Sequence, residues 1–252
     1  MKAGQIMQLG DHRLACGSAT DSELVKRLMG NDCVAMILCD VPYAISYVES
    51  KQGFVKLANQ KVIAGDGITD DATYEQFTRD WLEAVKPHLA PKNSVYVFNA
   101  DRMLIPTVQA LRASGGKFAQ LLIWAKTQAV IGRMDYLPQH ELIIYGWYGT
   151  HVFHKSKDKS ILVYPKPHKS KLHPTMKPVG LLRRLILNSS QVGGVVYDGF
   201  GGSGSSLMAC EQTGRKCLMV ELDLEYCTTI IHRWQQLTGQ TAVEVGVDHE
   251  DK

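Results

Sequence analysis

The 252-residue chain lacks several features that would each have named a class of protein. No apolar run approaches the ~18–20 residues that a helix needs to span a bilayer, so nothing is expected to cross a membrane. Met1-Lys2-Ala3-Gly4-Gln5 leads into no apolar stretch, so no secretion signal is expected and a cytoplasmic setting is. The six cysteines (Cys16, Cys33, Cys39, Cys210, Cys217, Cys227) stand singly. Without a C-x-x-C pair there is no zinc knuckle and no thioredoxin-like motif, and reduced, mostly buried thiols are expected. The H-x-E and P-C-x-x-C signatures of base deaminases are missing, and His140-Glu141 lacks the second histidine of a zinc protease. His151, His154, His168 and His173 crowd one segment, but scattered surface histidines are commoner than a metal site, and no metal is expected.

What charge there is lies in one place. Residues 151–172 hold Lys155, Lys157, Lys159, Lys166, Lys169 and Lys171 against the single acid Asp158, a surplus of five in a chain whose net charge is +3. That concentration suits a polyanion such as a phosphate backbone.

Short apolar runs alternate with helical stripes. Strands are expected at residues 34–39, 94–98, 121–124, 142–145, 195–197 and 217–220. Between them, Thr73 and Gln76 have capping-box spacing ahead of a stripe of Phe77, Trp81, Ala84 and Val85 that Pro87 stops. Leu104, Val108 and Leu111 mark a helix ending near Gly115-Gly116, and Pro178 opens one with the core face Leu181, Leu182, Leu185 and Ile186. A helix runs from about Ser205 to Gln212, and Cys227, Ile230, Ile231 and Trp234 mark the last, closed by Gly239. The basic segment reads as loop or short hairpin. The pattern predicts a single α/β domain with a doubly wound parallel sheet.

Two strand ends carry chemistry. Asp198-Gly199-Phe200-Gly201-Gly202-Ser203-Gly204 joins a strand to a helix, where glycines let the backbone approach a ligand. Gly199, Gly201 and Gly204 fit G-x-G-x-x-G, and Glu221 follows at the end of the next strand, placed to accept ribose hydroxyls. Only 48 residues follow Gly204, too few for a dinucleotide fold starting there, so a nucleoside cofactor without pyrophosphate fits better than a nicotinamide. Cys39-Asp40-Val41-Pro42-Tyr43 ends the first expected strand. A carboxylate, backbone carbonyls and an aromatic ring can grip a flat heterocycle that bears an amine.

With a third motif, His173-Pro174-Thr175-Met176-Lys177-Pro178, the chain resembles the amino-directed DNA methyltransferases of permuted motif order, the β class. That family runs D-P-P-Y, target-recognition segment, H-P-T-x-K-P, then D-P-F-x-G-S-G with a later acid. Here these are Asp40 to Tyr43, the basic segment, His173 to Pro178, Asp198 to Gly204, and Glu221. Leu122-Ile123-Trp124-Ala125-Lys126 and Gln139-His140-Glu141 also look like family segments, and the likeness spans about residues 10–240. Two positions depart from the pattern: Val41 and Gly199 stand where the family has proline.

The resemblance implies one Rossmann-like methyltransferase domain over residues 1–252, mostly parallel in its sheet, with a target-recognition insertion at about 147–172. It implies S-adenosyl-L-methionine as methyl donor and double-stranded DNA as partner, and leaves open a restriction endonuclease partner and a homodimer. Asp40, Val41, Pro42 and Tyr43 would perform the chemistry on a flipped base, with adenine N6 ahead of cytosine N4 because the box opens with Asp and closes with Tyr. Asp198, Phe200, Gly201, Gly202, Ser203, Gly204, Glu221 and Asp40 would line the cofactor, Thr175 and Lys177 would hold its methionine end, and Lys155, Lys157, Lys159, Lys169 and Lys171 would meet phosphates. A cytosine-C5 enzyme would need a Pro-Cys nucleophile, and no such dipeptide occurs. A nicotinamide oxidoreductase and an inactive DNA-binding relative are the remaining alternatives.

Overall fold

A computed structural model describes residues 1–42, 70–129, 135–155, 157–166 and 176–245. In chain order its elements are β1 (Ile6–Leu9), β2 (His12–Cys16), α1 (Ser22–Met29), β3 (Val34–Asp40), α2 (Asp71–Val85), β4 (Leu89–Asn99), α3 (Leu104–Ala113), β5 (Lys117–Ala125), β6 (His140–Trp147), β7 (Ile161–Val163), α4 (Val179–Ser189), β8 (Val195–Asp198), α5 (Ser205–Glu211), β9 (Lys216–Glu221), α6 (Leu224–Thr238) and β10 (Val243–Glu244). The strands form one sheet in the order β10-β1-β2-β9-β8-β3-β4-β6-β5-β7.

The central strands are apolar throughout because both of their faces are covered. In β3, Ile37 and Cys39 face one core with Leu24, Leu28, Trp81 and Val85 of α1 and α2. Met36 and Leu38 face the other, with Leu181 and Leu185 of α4, Leu207 of α5 and Ile230 and Trp234 of α6. Period-two alternation thus feeds two cores, and each fully buried aliphatic side chain contributes about 1.5–3 kcal/mol. Strands β2, β9, β8, β3 and β4 are mutually parallel. Strand β6 runs antiparallel to both β4 and β5. That pairing requires no crossover helix, and the described residues between β5 and β6 form none.

Three local expectations change. Helix α2 is capped by Asp70, whose carboxylate accepts from the Thr73 amide at 2.8 Å, so the helix starts a turn earlier than Thr73. Gln76 instead donates to Asp80 at 2.7 Å. The basic segment contributes a strand, β7, which pairs parallel with β5. The first thirty residues add the β1–β2 hairpin and α1; Gly10-Asp11 between two apolar runs, with Gly10 at φ +57°, is the signal for that turn. Five cysteines are buried and Cys33 is exposed, all as free thiols. Among the described residues no helix is long and apolar enough to cross a membrane.

Candidate active site

Strands β3 and β8 are neighbours and parallel, with Ile37 opposite Tyr197. Their carboxyl ends therefore open at the same edge of the sheet. The chain leaves β3 toward β4 on one side and β8 toward β9 on the other, which makes this edge the crevice where open α/β sheets bind ligands. The turn after β8 touches the end of β3: the Gly199 amide donates to Cys39 Sγ at 3.3 Å. Burial, and then the Asp198 charge, pushes the Cys39 thiol well up, so it is no nucleophile at neutral pH.

The glycine turn is held by carboxylates. Asp198 accepts from the Phe200 amide at 3.0 Å and from the Ser206 hydroxyl. Glu221, at the end of β9, accepts from the Gly202 amide at 2.6 Å and the Asp223 amide at 2.7 Å. Gly202 and Gly204 have φ of +50° and +78°, values that glycine reaches without strain. A Cβ at Gly201 would lie 2.7 Å from Met219 Sδ, so the backbone there sits directly on the core. Ser203 is buried, its hydroxyl 3.3 Å from that of Ser205 and its carbonyl bonded by Arg233. The ring of Phe200 packs on Phe77 and Trp81, with centroids 5.9 and 5.7 Å away, and so ties the turn to α2.

Burial drives the Asp198 carboxyl up to about 7, and the nearby Asp40 and Glu221 charges add to this against the Ser206 and Phe200 hydrogen bonds. Glu221 is raised as well, by burial against two backbone donors. Asp198 and Glu221 thus take their hydrogen bonds from amides and a hydroxyl rather than from a cation, a setting that favours a cationic ligand.

At the other loop, Asp40 ends β3 opposite Phe98 of β4. Its carboxylate accepts from Lys177 Nζ at 2.6 Å. Lys177 also reaches Glu141 at 3.1 Å, and Glu141 pairs with Lys126 at 2.8 Å. Val41 is buried, and the Pro42 carbonyl accepts from the Tyr74 hydroxyl of α2 at 2.8 Å. Tyr74, Lys126 and Glu141 were given no role from sequence. Lys126 and Glu141 had a signal: opposite charges close to two apolar strands that pair antiparallel, where water is scarce. Tyr74 had none, since a tyrosine on a buried helix face reads as core.

Of the expected site residues, Asp40, Val41, Pro42, Lys177, Asp198, the turn residues and Glu221 gather at this edge. Tyr43, Thr175, Lys169 and Lys171 lie outside the described residues. Lys155, Lys157 and Lys159 are exposed on the loop that enters β7, and that loop is tethered by Asp158 to Arg184 and Asn188 of α4. The Arg184 hydrogen bond holds the Asp158 carboxyl well below the usual range, so its charge is already countered. Strand β7 runs in the same direction as β3, so its exit, followed by Lys166, faces the Asp40 edge and its entry does not.

A family model described as a DNA methylase of the N6/N4 type matches residues 34–232. The chain belongs to that family. Cytosine-C5 chemistry and the nicotinamide reading fall with this finding. Among curated relatives, the type II methyltransferase M.HpaI of Haemophilus parainfluenzae is 26% identical over 86% of this chain and 72% of its own. M2.MboI of Moraxella bovis is 22% identical over 82% and 83%. Two solved structures share the fold. The M1.HpyAVI–SAM complex has a TM-score of 0.65 at 22% identity, covering 87% of this chain and 98% of that one. The cytosine-N4-specific PvuII DNA methyltransferase has a TM-score of 0.72 at 15% identity, covering 92% and 90%. As an N6/N4 DNA methylase, the chain uses S-adenosylmethionine and acts on DNA.

Proposed function

We propose that this DNA methylase transfers the methyl group of S-adenosylmethionine to N6 of adenine within a specific DNA sequence. One observation carries the reading: Asp40 and the Gly199–Gly204 turn end adjacent parallel strands and meet through the Gly199–Cys39 contact. An amine acceptor and a nucleoside cradle thus share one crevice.

The residues fit the donor. It brings a sulfonium and an ammonium to an edge where the Asp40 and Glu221 charges add to burial in raising the Asp198 carboxyl, and when bound it supplies an already activated methyl group. Glu221 keeps lone pairs beyond its two amide contacts, enough to accept ribose hydroxyls. A base inside a duplex is out of reach, so the target is flipped into the crevice. Asp40 then accepts a hydrogen bond from the exocyclic amine, and Tyr43 supplies the stacking ring. The carbonyl of Val41 is the second acceptor, and Pro42 holds the chain extended there. Fixing the amine nitrogen in line with the methyl group supplies much of the rate. Thr175 and Lys177 sit in the segment assigned to the methionine end, with Lys177 also bound to Asp40. Lys155, Lys157, Lys159, Lys169 and Lys171 are assigned to phosphates, where they position the duplex without reading it. Adenine is preferred to cytosine because the box opens with an anionic acceptor and closes with tyrosine.

Transfer of tritium from methyl-labelled S-adenosylmethionine to unmethylated DNA tests the activity. The wild-type chain is expected to label DNA and Asp40→Ala to lose the label by far more than any weakening of cofactor binding seen by calorimetry accounts for. Equal labelling by the two would remove Asp40 from the chemistry.

A further inference from the structure

Four charged side chains from four separate stretches of sequence form one line that ends at Asp40. Lys126 follows β5, Glu141 is the second residue of β6 and lies opposite Trp124, Lys177 precedes α4, and Asp40 ends β3. The spacings along the line are 2.8 Å from Lys126 Nζ to Glu141 Oε1, 3.1 Å from Glu141 Oε2 to Lys177 Nζ, and 2.6 Å from Lys177 Nζ to Asp40 Oδ2. The side chains of Lys126 and Lys177 are 6% and 4% exposed and Glu141 is 17% exposed, while Asp40, at the mouth, is 29% exposed. Charge alternates at every step. Burial pulls the Lys177 ammonium toward neutrality, and the Asp40 and Glu141 carboxylates more than offset it, so the lysine stays charged. Its Nζ also stands 5.4 Å from the centroid of Phe98, the residue opposite Asp40.

We propose that Glu141 is a positioning residue for methyl transfer, acting through Lys177 on Asp40, with Lys126 as its counterion. The inference rests on the reading above that Asp40 accepts the substrate amine. The torsion that sets the plane of an aspartate carboxylate is broad, so a partly exposed Asp40 needs outside partners to define it. Lys177 is one such partner, but an ammonium on a four-carbon stem is itself adaptable. Glu141 engages a second N–H of the same ammonium and fixes where the first one points. Lys126 neutralises the other oxygen of Glu141, without which a buried carboxylate would face water-poor surroundings with half its charge uncompensated. Without Glu141, Lys177 loses an anchor on the side away from Asp40 and competes more strongly with the substrate amine for the lone pairs of that carboxylate.

The test uses the full chain with S-adenosylmethionine and unmethylated DNA. Rates are counted per cofactor-binding chain from the calorimetric stoichiometry, so that loss of folded protein does not register as loss of rate. Glu141→Gln is expected to lower kcat roughly tenfold or more, as a misplaced reacting group does, while the KM for DNA stays within about twofold and the cofactor Kd, which Lys177 also influences, changes much less than kcat. Lys126→Met lowers kcat less. The double variant falls no further than Glu141→Gln, because Lys126 acts only through Glu141. Glu141→Asp, which keeps the charge, restores part of the rate. Unchanged kcat in Glu141→Gln, losses that multiply in the double variant, or a fall in cofactor affinity that accounts for the whole effect would each overturn the inference. Should Glu141→Gln fail to fold, unchanged kcat in Lys126→Met is the overturning result. A wild-type chain that transfers no methyl group overturns the functional reading as well; an active wild type beside a fully active Glu141→Gln overturns this inference alone.

Discussion

Gly201→Ala separates a steric demand on the cofactor turn from the general fragility of a glycine. The new Cβ would lie 2.7 Å from Met219 Sδ, 2.9 Å from Met219 Cγ and 3.2 Å from Ile230 Cδ1. Met219 and Ile230 are both fully buried, on β9 and α6, so neither can swing into solvent. Forcing a methyl group into a filled core costs about 1–3 kcal/mol, and the pliability of methionine favours the lower half of that range. The alternative to compressing the core is to lift the turn, which pulls the Gly202 amide from Glu221 and stretches the 2.9 Å bond from the Gly201 amide to the Val220 carbonyl. A lifted turn occupies ligand space. Gly239→Ala is the matched control: φ is +72° at the end of α6, nothing lies within 4 Å of its added Cβ, and the penalty of about 1–2 kcal/mol is conformational only. For a chain of this size each kcal/mol lowers Tm by about 2–4 °C, so the two variants should melt at similar temperatures, several degrees below wild type. They should part in calorimetry, with Gly201→Ala binding S-adenosylmethionine about tenfold or more weakly, equivalent to about 1.4 kcal/mol, and Gly239→Ala binding as wild type does. Equal cofactor affinity in the two variants, or a wild-type Tm for Gly201→Ala, would refute the argument.

Asp198 gives a pH signature. Its folded pKa of about 7 lies above the ordinary 3.8, so the stability it lends is complete below about 3.8 and lost as pH rises through 7. The Tm of Asp198→Asn minus that of wild type should therefore increase between pH 5 and pH 8; a difference independent of pH contradicts the buried-acid reading. Tyr74→Phe removes the donor to the Pro42 carbonyl and should cost about 0.5–1.5 kcal/mol in stability, with kcat falling more than the cofactor affinity; an unchanged kcat would detach Tyr74 from the site. For DNA, replacing Lys155, Lys157 and Lys159 together with alanine should flatten the dependence of log K on log salt by about 0.9 for each phosphate they neutralise. Wild-type slope in the triple variant would clear that loop of phosphate contacts, and Lys166→Ala would then be the next variant to measure.

The doubly wound core was legible because its strands are buried on both faces. Runs such as residues 34–39 leave no polar alternation to misread, and the helix stripes on α4 and α6 met the core as the spacing predicts. The antiparallel placement of β6 was not legible, since a buried strand is apolar whichever way it runs. The α2 cap was misassigned because Thr73 and Gln76 satisfy a local pattern, whereas Asp70 lies among residues without periodicity. In the site, Asp40, Glu221 and the glycine turn stand at strand ends where the fold puts its chemistry. The line from Lys126 to Asp40 was hidden, because its members are 137 residues apart at the Lys177–Asp40 link and are joined only by sheet order. Sequence spacing also says nothing about which end of β7 faces the crevice, and that decides how Lys155 to Lys159 differ from Lys166.

The most direct test is to express the chain in a host free of DNA methylation, digest the host DNA to nucleosides and weigh the methylated product. The account predicts N6-methyl-2′-deoxyadenosine from wild type and none from Asp40→Ala. Methylation confined to cytosine N4, or unmodified DNA from a chain that binds S-adenosylmethionine, would contradict it.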